Sequence, residues 1–353
     1  CVVTTAAMAV ALPLSGWLAV RFAAGVASAF VMVFTVSAAM HASGARIGAG
    51  MVAWTFAGVG TGITLSSALL LAVPDWHWSA QWWLMAAAAL PLALLALRRP
   101  PRPQRSSQRQ AAPPPAGRDA RDGREALDAL DARDALDNRD ARDARDARDA
   151  RDARAFWSLL VAYGLFGFGY VIHATFLPTL VRSVPQISAY AIHAWLVVGI
   201  AAALSVFVWA ALGRRLGALP ALLLAYLVEA AALLGPFVLP GLPGVLVAGI
   251  GLGGTFVGLT SLATVYGAQL APMAPAAAVA LLTGSFGVGQ IVGPVVAAGM
   301  IDASGGFLTA TLAAVATLLV AAALIAATSP RHAWHSPARS TTVSGDAQSG
   351  TGQ

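Results

Sequence analysis

Hydrophobic positions along the chain form two groups of long apolar runs on either side of a charged middle. A helix needs about 20 apolar residues to cross a bilayer whose hydrocarbon core is about 30 Å thick. The runs lack the polar alternation of membrane-spanning strands, so they indicate helices. The pattern predicts about ten membrane-spanning helices, over 1–16, 18–41, 47–73 and 78–97 before the middle and over 156–181, 189–213, 217–239, 243–269, 275–301 and 305–328 after it.

Charge is concentrated between the two groups. Of the sixteen acidic residues, twelve lie between Asp119 and Asp152, and an Arg-Asp-Ala repeat runs from Arg139 to Arg154. A period of three does not match the 3.6 residues of a helical turn, so the repeat has no apolar stripe for docking and supports only a transient solvated helix. We interpret it as a spacer. The predicted organisation is an incomplete four-helix N-terminal lobe, a cytoplasmic low-complexity linker, a six-helix C-terminal lobe and a disordered tail, over 1–97, 98–155, 156–328 and 329–353.

Arginine placement predicts the side of the membrane on which each loop lies. Cytoplasmic loops of membrane proteins are enriched in arginine and lysine. The cluster from Arg98 to Arg109 therefore assigns the linker to the cytoplasm. Because successive loops lie on alternate sides of the membrane, Arg46, Arg214-Arg215 and Arg331 are assigned to the same side. Arg182 falls on the outer side and is the exception. We expect a multi-pass protein of the cell inner membrane, with the linker and the C-terminus in the cytoplasm.

Composition excludes several classes of function. The chain is 58% hydrophobic and 11% charged, which lies outside the range of ordinary soluble domains. Its formal charge of +6 comes from arginines beside apolar runs, not from a basic surface with interleaved aromatic residues, so nucleic acid is not an expected partner. Cys1 is the only cysteine, and the sequence contains no phosphate loop, zinc motif or nucleophile motif. We therefore expect neither a metal, nor a cofactor, nor an enzyme.

The two groups of apolar runs contain similar sequence segments. The segment from Phe56 to Gly62 resembles the segment from Phe286 to Gly293, which pairs the third predicted helix with the ninth. On this pairing the helices over 156–181 and 189–213 have no counterparts in the first group. Because the chain begins at Cys1 inside an apolar run, we expect two further helices before it and twelve in all. Two lobes related by an internal repeat are typical of secondary transporters.

Five segments carry a resemblance to a known family: Arg21 to Ser28, Tyr163 to Tyr170, Thr175 to Pro178, Gly253 to Phe256, and Gly287 to Pro294. They resemble the major facilitator superfamily, and within it the YbfB/YjiJ-type carriers. A loop similar to the superfamily's cytoplasmic signature contains Gly213, Arg214, Arg215 and Gly217. The resemblance implies an all-α, two-lobed helix bundle that moves a small molecule through a central cavity. We expect the protein to be a monomer. The implied cavity helices are those over 18–41, 47–73, 156–181, 189–213, 243–269 and 275–301.

Polar side chains on the implied cavity helices are the candidates for substrate contact: Arg21, Thr61, Tyr163, Tyr170, His173, Thr255 and Gln290. Tyr163, Tyr170 and His173 are spaced i, i+7 and i+10, which places them on one face of a helix. A polar group that faces hydrocarbon costs several kcal/mol, so this stripe faces protein or water. Two interpretations stay open, a water-filled cavity and hydrogen bonding between helices.

Two charged residues lie inside predicted spans. The Arg21 side chain either snorkels to the lipid headgroups or binds an anionic group. Because Arg21 is the one fixed charge on the implied cavity helices, we expect an anionic or zwitterionic solute. Glu229 is the only acid deep in a span, which makes it, with His173, a candidate for proton coupling. Its helix is the third of its lobe and is implied to lie outside the cavity. A protonated, hydrogen-bonded packing role is therefore the favoured interpretation of Glu229.

Glycines cluster near several of these polar candidates. Small residues allow two helix backbones to approach closely, and proline interrupts the helical hydrogen-bond ladder so that a helix can bend. The sequence predicts a packing or hinge role for Gly58, Gly60, Gly287, Gly289, Gly293 and Pro294.

The features together predict a secondary active transporter that uses alternating access with proton coupling. A non-transporting membrane remnant or accessory protein is one alternative. A membrane-embedded enzyme is another, although it would need titratable groups gathered at one depth, and the deep titratable groups in this sequence are scattered.

Overall fold

The computed structural model describes residues 1–41, 45–97 and 124–329, and the regular structure within these ranges is helical. The first group of helices comprises α1 (Val2–Ala7), α2 (Leu14–His41), α3 (Ala45–Ala72) and α4 (Trp78–Leu97). The second comprises α5 (Arg124–Arg182), α6 (Ala191–Leu216), α7 (Ala218–Leu233), α8 (Gly235–Val238), α9 (Leu242–Leu270), α10 (Pro275–Ser304) and α11 (Leu308–Thr328). The beginning of the predicted linker, over 98–123, and the predicted tail from residue 330 onward lie outside the described residues.

Nine helices in the described ranges are long and apolar enough to cross a membrane. The predicted all-α membrane fold is confirmed, with one difference in the helix count. The first apolar run, 1–16, forms the six-residue α1 and then a non-helical stretch that includes Pro13. A helix of that length rises about 9 Å, far less than the hydrocarbon core.

Glycine and proline set the helix ends. Gly217, Gly241 and Gly305 have φ angles of 96°, 75° and 70°, in the region that favours glycine, and each lies next to a helix end. Pro243 and Pro275 occupy the first turns of α9 and α10, where the missing N–H costs no intrahelical hydrogen bond. These residues divide a nearly uncharged stretch of sequence into separate spans.

The longest helix, α5, joins the charged repeat to a membrane span. It runs for 59 residues, about 88 Å at the usual rise of about 1.5 Å per residue. Side chains from 142 to 150 are exposed, and burial begins near Ala155. The sequence indicates only a transient helix in the repeat, whereas the structure continues the helix of the span through it. A span that is already helical removes the nucleation cost that an isolated segment would face, which accounts for the difference.

The chain forms two compact units, 1–28 with 73–151 and 29–72 with 152–353. In the first unit α1 lies against α4, where the Ser79 hydroxyl donates a hydrogen bond to the Ala9 carbonyl at 2.6 Å. Trp17 of α2 meets Trp78 of α4 edge-on, with ring centroids 5.6 Å apart. These contacts join α1 and α2 to α4 within the first unit.

The second unit is built around α6, which packs against both α3 and α9. Val36, Phe56, Val206 and Val257 belong to one buried cluster that joins α2, α3, α6 and α9. A larger buried cluster joins α5, α7, α9, α10 and α11. The polar candidates on α5, α7, α9 and α10 lie in or beside this larger cluster.

Large apolar side chains are exposed on several of the helices. Phe22, Phe34, Ile291 and Val295 are between 66% and 75% exposed. Water-soluble domains rarely expose apolar surface of this kind over several helices, whereas lipid hydrocarbon accommodates it. The surface therefore agrees with the helix lengths in indicating a membrane protein.

Candidate functional site

Aromatic rings from α5, α9 and α10 stack inside the second unit and form what we call the aromatic cluster: Tyr163, Phe166, Tyr170, Phe256 and Phe286. Phe286 contacts both Tyr163 and Tyr170, with ring centroids 5.0 Å and 5.3 Å away. Phe256 lies almost parallel to Tyr170, at 5.0 Å and an interplanar angle of 1°. The i, i+7 spacing of the two tyrosines brings both rings to the same neighbour. The cluster thus fixes two tyrosine hydroxyls at the junction of three helices.

One side-chain hydrogen bond crosses this junction. The Gln290 amide nitrogen donates to the Tyr170 hydroxyl oxygen at 2.5 Å, which joins α10 to α5. Tyr170 is buried and Gln290 is half-buried. The sequence singles out both residues separately, and the structure brings them into direct contact.

Threonine hydroxyls line the α9 side of the cluster. Tyr163 lies beside the hydroxyls of Thr260 and Thr264. Thr255 is buried and donates to the Gly251 carbonyl of its own helix at 2.6 Å. Thr61 of α3 likewise donates to its own helix, to Ala57 at 2.9 Å, but its side chain is exposed. Of the two threonines predicted to contact the substrate, only Thr255 lies beside the larger buried cluster.

Glu229 lies on the inner face of α7 and is fully buried. It belongs to a buried stripe with Leu222, Tyr226 and Leu233. Its carboxyl group lies beside the Thr255 hydroxyl, and Tyr170 and Tyr226 are close enough to interact with it electrostatically. The position of α7 in the helix order implies a location apart from the polar candidates. The structure instead turns this side chain toward the bundle interior, near Tyr170.

His173 lies three residues beyond Tyr170 on α5 and is also buried. Its ring faces the backbone carbonyl of Leu233, one turn beyond Glu229 on α7. Nδ1 has no hydrogen-bond partner among the described residues. The ring also lines a cavity of about 10 Å³ together with Thr311 of α11, a volume comparable with the space that one water molecule requires.

Arg21 lies in the first unit, and its guanidinium stands 5.5 Å from the centre of the Trp82 ring. Its side chain is exposed. An arginine over an indole face gains a cation–π attraction and keeps its charge and its N–H donors. The contact is compatible with snorkelling in a tryptophan-rich zone and with anion binding.

The predicted packing glycines divide into two groups. A Cβ atom at Gly60 would lie 2.2 Å from the Ala203 nitrogen, and one at Gly289 would lie 2.1 Å from the Gly164 carbonyl oxygen. Gly293 is similarly close to the Phe168 carbonyl, at 2.7 Å. In contrast, a Cβ atom at Gly58 or Gly287 would meet nothing within 4 Å. Close packing therefore requires glycine at the first three positions, and Pro294 lies inside α10 next to one of them.

The predicted loop motif coincides with the end of α6. Arg214 and Arg215 occupy its last turn and are exposed, and Gly217 follows with its N–H bonded to the Gly213 carbonyl at 3.1 Å. Positive side chains at a helix C-terminus interact favourably with the helix dipole. The motif thus ends α6 and turns the chain into α7.

The aromatic partners of the polar residues were not found from the sequence. Phe256 and Phe286 lie within segments that carry the resemblance and the internal repeat, but phenylalanine in an apolar run gives no polar signal. Tyr226 was missed as well, and its hydroxyl donates to the Ala162 carbonyl of α5 at 3.3 Å. A search for aromatic residues at matching depths on several helices could have found all three.

These features define the class of the protein. Nine apolar helices, an apolar outer surface and buried polar contacts between helices describe a multi-pass α-helical membrane protein. A family model described as "Uncharacterised MFS-type transporter YbfB" matches residues 1–123 and 133–326. The chain belongs to this family, and it is therefore a multi-pass transporter of the major facilitator superfamily. A comparison with curated proteins gives no significant match.

Proposed function

We propose that the protein is a secondary active transporter that moves a small solute across the cell inner membrane by alternating access, coupled to protons. Family membership supports transport as the class of activity. The observation that carries the finer proposal is the Tyr170–Gln290 hydrogen bond between α5 and α10, set within the aromatic cluster. A solute or a change of charge can break and remake such a bond, whereas most neighbouring helix contacts are apolar.

Solute contact is assigned first to Tyr170 and Gln290, with Tyr163, Thr255, Thr61 and His173 as further candidates. Phe256 and Phe286 are only half-buried, and their apolar rings stack on Tyr170, which accepts the hydrogen bond from Gln290. Binding sites for small molecules commonly combine an apolar lining with a few fixed polar groups. This composition supports recognition of a solute with both an apolar and a polar part.

We further propose that the solute is anionic or zwitterionic. Arg21 supports this because, among the described residues, its guanidinium has an aromatic neighbour and no carboxylate in an ion pair. A guanidinium with free N–H donors suits a carboxylate or a phosphate group.

The arginines from Arg98 to Arg109 support a cytoplasmic location of the linker.

The test begins with a thermal-shift screen of the purified full chain against three probe classes: small carboxylates, amino acids and organic cations. Compounds that stabilise the protein are then offered to proteoliposomes with and without a pH gradient. We expect a carboxylate or an amino acid to bind, and its uptake to rise with the gradient and fall with a protonophore. Uptake that ignores the gradient would contradict proton coupling, and preference for the cations would contradict the charge assignment.

Two variants test the proposed site in the same assay. Tyr170→Phe and Gln290→Leu each remove the hydrogen bond between α5 and α10, and each should lower uptake about tenfold, the effect of about one net hydrogen bond. Protein abundance and insertion should stay at the level of the unmodified chain. Unchanged uptake in both variants would exclude this bond from the transport cycle.

A further inference from the structure

The rings of the aromatic cluster lie nearly parallel to one another. The ring contacts within the cluster have interplanar angles between 1° and 28°. Most other ring pairs of the second unit meet at angles between 51° and 76°. Aromatic rings favour either an edge-on or an offset-stacked arrangement. The cluster is therefore an offset stack, which a further flat ring can extend in the same arrangement.

The rings from α5 are buried, while those from α9 and α10 are incompletely covered. Tyr163, Phe166 and Tyr170 of α5 are 3%, 0% and 8% exposed. Phe256 of α9 and Phe286 of α10 are only half-buried. Since protein interiors are close-packed, a purely structural stack would be covered on all sides. The described residues leave part of these two rings uncovered.

The two faces of α10 indicate where the uncovered part of Phe286 lies. At about 100° per residue, one sector of the helix comprises four half-buried residues, Thr283, Phe286, Gly287 and Gln290. The opposite sector comprises three residues that are 63%, 72% and 72% exposed, Val288, Ile291 and Val295. These apolar side chains suit lipid hydrocarbon, whereas a glutamine side chain does not. The uncovered part of Phe286 therefore lies on the side of α10 that faces away from lipid.

Open space and a polar group accompany Phe286 on this face. A Cβ atom at Gly287, the next residue along α10, would meet nothing within 4 Å among the described residues. The one hydrogen bond of the Gln290 side chain goes from its amide nitrogen to Tyr170. The second N–H of the amide and its Oε1 therefore have no partner in the part of the chain that the structure describes. The face combines a flat apolar ring, room beside it and an amide that can both donate and accept.

We propose that the solute carries an aromatic ring that stacks on Phe286 in the space beside Gly287, and that its polar group binds the Gln290 amide. The inference rests on the proposed function for the statement that the bound molecule is transported. Because an amide donates to a carboxylate and accepts from an ammonium group, the same position accommodates an aromatic acid or an aromatic amino acid. A saturated ring of similar size can fill the space but lacks the flat π face that stacks.

Matched probe pairs, offered to the purified full chain, test the need for a flat ring. Benzoate is compared with cyclohexanecarboxylate, and phenylalanine with cyclohexylalanine, through dissociation constants from thermal shifts at increasing probe concentration. The two members of a pair carry the same charge, and the saturated member has no less apolar surface to bury. Stacking contributes beyond the burial of area, so each aromatic probe should bind about two- to tenfold more tightly than its saturated partner.

Two results would overturn the proposal at this stage. One is equal or tighter binding of the saturated probes. The other is absence of binding by both aromatic probes at about 10 mM, since substrate constants commonly lie at or below about 1 mM.

Three variants test whether Phe286 is the stacking ring. Phe286→Leu keeps an apolar side chain but removes the stacking face, so it should remove the preference for the aromatic probes. Gly287→Val leaves every ring in place and fills part of the adjacent space, so it should weaken binding of the aromatic probes about tenfold. Phe307→Leu is the matched control, because Phe307 is also half-buried and its ring contacts Phe176 outside the cluster. Aromatic preference that persists in the first two variants, or that is lost equally in the control, would overturn the assignment to Phe286.

Uptake into proteoliposomes separates this inference from the proposed function. Uptake of carboxylates or amino acids that is driven by the pH gradient but shows no preference for a flat ring would overturn the ring site and leave the proposed function standing. Ring-selective binding without uptake of any bound probe would support the ring site and overturn the proposed function.

Discussion

The contact between α5 and α10 offers a sharp test of the packing. In Gly289→Ala the new Cβ atom would lie 2.1 Å from the Gly164 carbonyl oxygen and 2.6 Å from the Phe168 nitrogen, and both are backbone atoms. Ordinary van der Waals contact begins at 3.4 Å, so the two helices must separate by 3.4 − 2.1 = 1.3 Å at this point. Separation of that size would also strain the neighbouring Tyr170–Gln290 hydrogen bond.

The expected loss of stability follows from two opposing effects. Overpacking of a close contact costs about 1–3 kcal/mol, while replacing glycine by alanine inside a helix gains about 0.5–1 kcal/mol. Gly289→Ala should therefore lower the free energy of unfolding by about 1–2 kcal/mol. Unfolding in mixed micelles, followed by tryptophan fluorescence, measures this difference.

Gly287→Ala is the matched control, because it makes the same change on the same helix where a Cβ atom meets nothing within 4 Å. Its unfolding free energy should stay within about 0.5 kcal/mol of the unmodified protein or rise slightly. If Gly289→Ala were as stable as Gly287→Ala, the close approach of α5 and α10 described above would be refuted.

Three further predictions concern other parts of the chain. Gly60→Ala, which would place a Cβ atom 2.2 Å from the Ala203 nitrogen, should destabilise the α3–α6 contact by about 1–2 kcal/mol in mixed-micelle unfolding, whereas Gly58→Ala should not. Deletion of residues 118–151 should leave membrane insertion and uptake within experimental scatter, as measured by fractionation and the proteoliposome assay, and loss of uptake with normal insertion would contradict the spacer interpretation. Arg21→Ala should reduce uptake of an anionic or zwitterionic solute at least tenfold at unchanged abundance, and a silent variant would leave Arg21 with a surface role only.

The helix pattern was largely predictable because span length is set by the bilayer and not by details of packing. Apolar runs indicated the positions of nine spans, and proline and glycine indicated where they end, as at Gly217 and Pro275. The first run failed as a span because residues up to Pro13 form only a short helix. Counting apolar runs assumes that hydrophobicity alone makes a segment a membrane-spanning helix. Such a helix also needs an uninterrupted series of backbone hydrogen bonds.

The environment of Glu229 was not predictable from helix order. Even an outer helix of a bundle turns one face inward, and on α7 that face carries Leu222, Tyr226, Glu229 and Leu233. Since α7 is apolar on nearly all sides, its sequence provides no contrast that marks the inner face. The close glycines were also indistinguishable from the open ones, because Gly287 and Gly289 differ only in which side of α10 they occupy.

The charged extension of α5 has a consequence for how the gene can change. Each Arg-Asp-Ala unit adds one positive and one negative charge, about 4.5 Å of helix and a rotation of about 300°. Gain or loss of one unit therefore alters the length of this rod while the net charge of the segment stays the same. The net charge of this segment is therefore independent of the number of repeat units.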